Sequence, residues 1–288
     1  MKSFKTAFKS VYEKGLMQYG FCKVKGTQPY YARCIGDEIV HVITFQEDIS
    51  SLNCKGFTIL FGVVTVYRKK IAFDEPTKFS NDWLSELSSI CFNENYYPMY
   101  DRRAFDEMIP FRFEYDKFYE ETMMNAIIKS FALTEKYAIP VLDKITTLEE
   151  CIKYFFKYKS VLLRIEASDE FVKTWLCGEH NEGLLSIQIY RKNRFKEYED
   201  AWRTVVKRDD DNELYRIKAG LSGLTMEQYR NAVIERKEWL QERLNTFQIM
   251  ANDSEWQDKI CKELKQRKNN NLETLEKYGF MVKIEEEN

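Results

Sequence analysis

The side chains able to carry chemistry in this chain are few and scattered. It has two histidines, His41 and His180, and seven cysteines, at positions 22, 34, 54, 91, 151, 177 and 261. A histidine-based metal centre needs further ligands close by, and neither histidine has a Cys, Asp or Glu neighbour at a recognised ligand spacing. The cysteines form no C-x-x-C pair and are odd in number, so reduced thiols are expected rather than a disulfide framework. One arrangement for nucleophilic catalysis remains: Cys34 or Cys54 as the thiol and His41 as its base, brought together from neighbouring strands as a cysteine-dependent hydrolase. The simpler reading makes the cysteines buried hydrophobes, His41 a hydrogen-bonded sheet residue and His180 a turn residue.

Charged clusters offer two further possibilities. Asp101, Asp106 and Glu107 stand beside Arg102 and Arg103, types suited to acid–base or phosphate chemistry, although charges at such spacings ordinarily lie on a solvated face. In Tyr190-Arg191-Lys192-Asn193-Arg194-Phe195-Lys196, basic and aromatic residues interleave as on surfaces that track single-stranded nucleic acid. Glu197, Glu199 and Asp200 follow at once and oppose that field. No G-x-x-x-x-G-K-[ST] or G-x-G-x-x-G occurs, so no nucleotide cradle and no cofactor are expected.

The elements that must hold these residues are legible in the apolar pattern. Glu38–Glu47 and Gly56–Tyr67 alternate with dense β-branched and aromatic content, and their short polar connection suits an antiparallel pair. Ile39, His41, Ile43 and Phe45 share one face; Phe57, Ile59, Phe61 and Val63 share another. Ahead of them, residues 3–19 carry Phe4, Ala7, Phe8, Val11, Tyr12, Leu16 and Tyr19 at helical spacing, stopped by Gly20, with short strands at Phe21–Lys25 and Tyr30–Ile35. Further on the pattern predicts a helix near Asp82–Cys91 and no clean period over Asn93–Phe113. A long helix then runs from an Asp116 cap to about Tyr137, ended by Ile139-Pro140. Capping boxes open helices at Thr147-Leu148-Glu149-Glu150, Thr225-x-x-Gln228 and Ser254-x-x-Gln257. Short strands are expected at Ser160–Glu166 and Leu184–Tyr190, around a helical piece near Asp169–Leu176. The tail Leu275-Glu276-Lys277-Tyr278-Gly279-Phe280 echoes Leu16-Met17-Gln18-Tyr19-Gly20-Phe21.

The fold class is therefore α+β: an antiparallel sheet with packed helices over residues 1–115, then a predominantly helical region with short strands over 116–288, either a separate domain or one continuous unit with the first. A composition 44% hydrophobic and 15% aromatic can build a sizeable core, and a net charge of −2 supplies no overall field toward nucleic acid or anionic membrane. No stretch approaches the roughly 18 apolar residues of a membrane span, and the N-terminus lacks a signal-peptide core, so a cytoplasmic protein is expected.

Tyr19-Gly20-Phe21 with Lys23 and Lys25, the pair Tyr30-Tyr31, Ile39-Val40-His41-Val42-Ile43-Thr44-Phe45-Gln46 and Gly56-Phe57-Thr58-Ile59-Leu60-Phe61-Gly62-Val63 occur in an order that resembles a bacterial family catalogued as domain of unknown function 4304. The resemblance covers roughly the first half and implies an α+β module without catalytic residues. Bacterial immunity proteins, which bind and neutralise toxin domains, have the same general look. With titratable groups dispersed, the expected function is a non-enzymatic module that binds another protein. Its expected anchors are Tyr96, Tyr97, Tyr100 and Arg102, which cluster beside Pro98 in a stretch without helical or strand period.

Overall fold

The computed structural model describes residues 3–25, 29–49, 54–67, 70, 71, 73, 84–87, 112–148, 150, 151, 203, 207, 210, 211 and 213–280. Its centre is the hairpin expected from the two apolar runs. Strand β3 (Ile39–Ile49) pairs antiparallel with β4 (Cys54–Thr65) in a register that sets His41 opposite Val63, Ile43 opposite Phe61 and Phe45 opposite Ile59. Strands β1 (Cys22–Lys23) and β2 (Tyr31–Ile35) extend the sheet on the β3 side. On the β4 side, β5 (Leu84–Glu86) pairs with Leu60–Gly62 and β6 (Phe113–Asp116) with Cys54–Phe57. All pairings among the described residues are antiparallel, and the fold is α+β.

One face of the sheet carries Tyr31, Ile43, Phe45 and Phe57. Helix α1 (Phe4–Met17) lies against it, with Phe4, Ala7, Phe8, Tyr12 and Leu16 all buried. Ser3 caps the helix by accepting from the Thr6 amide at 3.3 Å. Gly20, at φ 77°, ends it: the Phe21 amide returns to the Leu16 carbonyl and the Gly20 amide to Met17. The echo in the tail is structural as well. Gly279, at φ 92°, repeats the same pair of bonds from Phe280 to Leu275 and from Gly279 to Glu276.

Helix α2 (Glu120–Leu133) packs beside α1 on the same face. The two approach closely because Gly15 has no side chain: a Cβ there would sit 2.0 Å from the tip of the Phe131 ring. Alanine ordinarily stabilises a helix interior by about 1 kcal/mol over glycine. Here Gly15→Ala is expected to lower stability by about 1–2 kcal/mol, since overpacking outweighs the propensity gain; urea unfolding of the two proteins measures the sign.

Four expectations are corrected. Asp116 ends β6, and its carboxylate accepts from the Phe118 amide at 2.9 Å in an Asx turn, so α2 begins at Glu120. Ile139-Pro140 does not end the helical run. A π-helical segment (Thr134–Ala138), closed by the Ile139 amide on the Thr134 carbonyl, leads directly into α3 (Ile139–Asp143). Widening the backbone just ahead of a residue that has no N–H lets the helical path continue through Pro140. Leu84–Glu86 is a strand rather than part of a helix, because the open edge of β4 offers it a ladder. At the final capping box the cap is Asp253, which accepts from the Glu255 amide at 2.9 Å, while Ser254 is the first helical residue.

The other two boxes form as read. Thr147 and Glu150 exchange amide-to-side-chain bonds of 3.1 and 3.3 Å, and Thr225 and Gln228 exchange bonds of 2.8 and 3.2 Å. The second opens α4 (Met226–Asn252), which α5 (Ser254–Lys277) follows. In α4, Leu240 is buried while Tyr229 and Val233 are half-buried.

Helix α5 returns to the sheet. Asn271, 2% exposed, accepts from the Ile71 amide and donates to the Val66 carbonyl, each at 2.8 Å. Lys268 pairs with Asp37, and Phe73 packs between Tyr30 and Tyr278. The buried apolar residues, from Phe4 to Phe280, form one cluster, and β6 spans the boundary expected near residue 115. The expected strands Ser160–Glu166 and Leu184–Tyr190, and the helical piece between them, lie outside the described residues.

Candidate functional site

A buried polar constellation is built around His41, between β2 and α3. Strand pairing sets Arg33 directly opposite His41. The Arg33 Nε donates to His41 Nδ1 at 3.1 Å, one terminal nitrogen donates to the Tyr19 carbonyl at 2.9 Å, and the other engages Asp143 at 2.5 Å. The guanidinium also stacks on Phe21, 4.6 Å from its centroid. His41 is fully buried, and its Nε2 lies 2.8 Å from the Ile145 carbonyl. Because that oxygen only accepts, Nε2 carries the proton and Nδ1 receives the bond from Arg33. Burial, reinforced by the Arg33 charge, pushes the imidazole down to about 4. His41 is thus neutral at pH 7, with both nitrogens committed to the scaffold.

A second buried group joins α1 to α2. The Tyr12 hydroxyl meets Ser130 Oγ at 2.9 Å and Thr134 Oγ1 at 3.1 Å. Those two residues give their own protons to the carbonyls of Ile127 and Ser130, so Tyr12 is the donor in this cluster. Burial holds its phenol above the ordinary value. Beside it, Tyr19 donates to Glu135 at 2.5 Å and Gln18 does so at 3.1 Å.

The nucleophile pairing read from the sequence is not assembled. Cys34 follows Arg33 along β2 and so projects from the opposite face of the sheet to Arg33 and His41. Burial pushes its thiol up to about 11, away from the thiolate that nucleophilic attack requires. Cys54 pairs with Asp116 at the far end of β4, nine positions from Val63, which stands opposite His41. That spacing corresponds to about 30 Å of strand. Among the described residues no group of three or more His, Cys, Asp or Glu side chains is placed to hold a metal ion.

Tyr96, Tyr97, Tyr100 and Arg102 lie outside the described residues, as do His180, Arg103, Asp101, Asp106, Glu107 and Tyr190–Lys196. The described residues instead display a surface that the sequence reading passed over, in the turn between the helix over 213–218 and α4. Gly220, at φ 69°, closes the first helix through the Leu221 amide on the Arg216 carbonyl at 2.8 Å. Ser222 Oγ accepts from the Leu224 amide at 3.1 Å and donates to Glu213. The Thr225–Gln228 box then fixes the start of α4. The backbone is held at Leu221, Leu224 and Thr225, yet Leu221 is 62% exposed and Leu224 42%, with Met226 exposed beside them. The signal available in the sequence was two leucines inside a Ser-Gly turn, where polar residues are the rule. A second exposed apolar surface, Phe118 and Tyr119, lies at the β6–α2 turn, with Lys117 held 4.8 Å over the Phe118 ring.

Comparison of the chain with protein-family models, with curated proteins and with solved structures finds no match.

Proposed function

We propose that this chain is a non-enzymatic protein-binding module that acts in the cytoplasm, and that its partner docks on the rigid turn bearing Leu221, Leu224 and Met226. The observation that carries the reading is the combination of a turn tied by hydrogen bonds at Leu221, Ser222, Leu224 and Thr225 with leucines turned outward. Apolar side chains held in water by a fixed backbone lose little conformational entropy when a partner covers them, which is the economy of a preorganised docking site. The histidine chemistry points the same way, because a neutral His41 bonded at both nitrogens serves the scaffold. Tyr96, Tyr97, Tyr100 and Arg102 remain proposed anchors of the same interface or of a second one. A toxin domain is the class of partner that an immunity-like role would imply. The five described cysteines are free thiols, in keeping with a reducing compartment.

The test is a paired substitution, Leu221→Asp with Leu224→Asp, in the full chain. A stoichiometric protein partner recovered with the wild type is expected to be lost at least tenfold with the variant, at an unfolding free energy within about 0.5 kcal/mol, as for other surface changes. Equal capture by both proteins removes the turn from the interface. A single thiol that reacts with an electrophilic probe only in the native state returns the question to cysteine catalysis.

A further inference from the structure

We propose that Cys22 and Cys34 form a two-thiolate site for a soft monovalent metal ion, Cu(I), at the β1 edge of the sheet. Both residues project from the same face. Cys22 stands directly opposite Ala32 in the β1–β2 pairing, and Cys34 lies two positions further along β2, so all three share one face. Phe21 and Arg33, which stack on each other, take the opposite face, as alternation requires of the residues just before Cys22 and Cys34. The two thiols are thus diagonal cross-strand neighbours. They also feel each other: burial is the main cause that raises the Cys34 thiol, and Cys22 adds to it.

The spacing selects a metal bridge over a disulfide. Diagonal neighbours in an antiparallel pair have Cα atoms about 7–8 Å apart. A disulfide joins Cα atoms up to about 6.8 Å apart through a bond of about 2.05 Å, and beyond about 7 Å the backbone must move. An ion held in line between two thiolates, with bonds of about 2.3 Å as for zinc, sets the sulfurs roughly 4.6 Å apart. That extra reach of about 2.5 Å is what the diagonal needs.

The surroundings select the ion. Val24 follows Cys22 on this face, Ala32 stands opposite it, and Val40 stands opposite Cys34; each is 1% exposed or less. Cys22 itself is exposed, which gives the ion its entry. Among the described residues no further His, Cys, Asp or Glu joins the pair to complete a group of three. Zinc takes four ligands, and calcium and magnesium take oxygens, so none of them suits two sulfurs against an apolar wall. Cu(I) prefers soft thiolates, and its filled d shell is satisfied by two of them in line. Binding exchanges two S–H protons for one Cu(I), and both protons pass to solvent. The copper keeps its oxidation state, and the single negative charge of the bis-thiolate stays in contact with water on the Cys22 side.

Anaerobic titration of the full, reduced chain with Cu(I), against a colorimetric Cu(I) chelator, reads the site. Wild type is expected to hold one ion tightly. Cys22→Ser, which alters an exposed side chain, is the deciding variant: it is expected to lose about a hundredfold or more in affinity, because a chelate becomes a single contact. Cys34→Ala is expected to lose as much, while Cys54→Ser and Cys261→Ser keep the wild-type affinity. X-ray absorption of the loaded wild type is expected to place copper in line between two sulfurs. Tight binding retained in Cys22→Ser, or an equal loss in Cys54→Ser and Cys261→Ser, marks an adventitious ion only and overturns the site. Quantitative formation of a Cys22–Cys34 disulfide on mild oxidation of the folded chain overturns it as well, since the strands then stand too close for the bridge.

Discussion

Asn271→Asp is expected to detach α5 from the sheet at neutral pH and to lower stability by about 3 kcal/mol or more. The substitution conserves shape but removes the donor. Asn271 accepts from the Ile71 amide and donates to the Val66 carbonyl in a site that is 2% exposed. A carboxylate retains the first bond and sets a charged oxygen against the Val66 carbonyl, where neither atom has a proton to share. Leaving a buried polar group unsatisfied costs roughly 1–3 kcal/mol, and more when it is charged. The introduced carboxyl can donate once protonated, so its folded pKa lies above the unfolded value and the deficit narrows as pH falls toward 4. Lys268→Ala, which removes the partly exposed pair with Asp37 one turn earlier, is expected to cost about 1 kcal/mol or less. Urea unfolding at pH 7 and pH 4.5, with exchange of the amides in residues 264–277 as the local readout, checks all three statements. A melt for Asn271→Asp indistinguishable from wild type would show that α5 is held by packing alone.

The other large effect is expected at the centre of the aromatic layer. Phe8 is fully buried, stacked on Tyr12 at a ring-centroid separation of 4.0 Å and tilted against Phe45 at 4.4 Å, with Tyr31 and Phe57 beside it. Phe8→Ala removes a ring that joins α1 to the sheet and leaves a cavity whose walls are ring systems, which relax poorly. A loss of about 3–5 kcal/mol is expected, against less than about 0.5 kcal/mol for Ile128→Ala on the exposed side of α2. Both are measured by the midpoint and slope of urea denaturation. A cost below about 2 kcal/mol for Phe8→Ala would show that the aromatic layer collapses to fill the gap.

What the sequence determined by itself is the part of the molecule whose causes are local. Alternation placed Ile39, His41, Ile43 and Phe45 on one face of β3, and the short polar connection made the pairing with β4 antiparallel, because side-chain direction in a strand has period two whatever the surroundings. The glycines at 20 and 279 end their helices through the same two bonds, and two of the three capping boxes close as read, since each motif is satisfied within about six residues of chain. The tertiary structure decided everything that depends on a partner distant in sequence. Leu84–Glu86 became a strand because β4 had an open edge, and Gly15 is required because Phe131 lies over it. The helical path ran on through Pro140 because the π-helical turn before it widened, a rearrangement that helical periodicity alone does not signal. The candidate site divides in the same way. That Cys34 and His41 occupy neighbouring strands was readable, but opposite faces separate them, and the partners of His41 come from Arg33 across the sheet and from Ile145 beyond α3. Hydrogen-bond partners so far apart along the chain leave no periodic trace in it, so the role of His41, and the outward display of Leu221 and Leu224, were fixed only when the chain closed on itself.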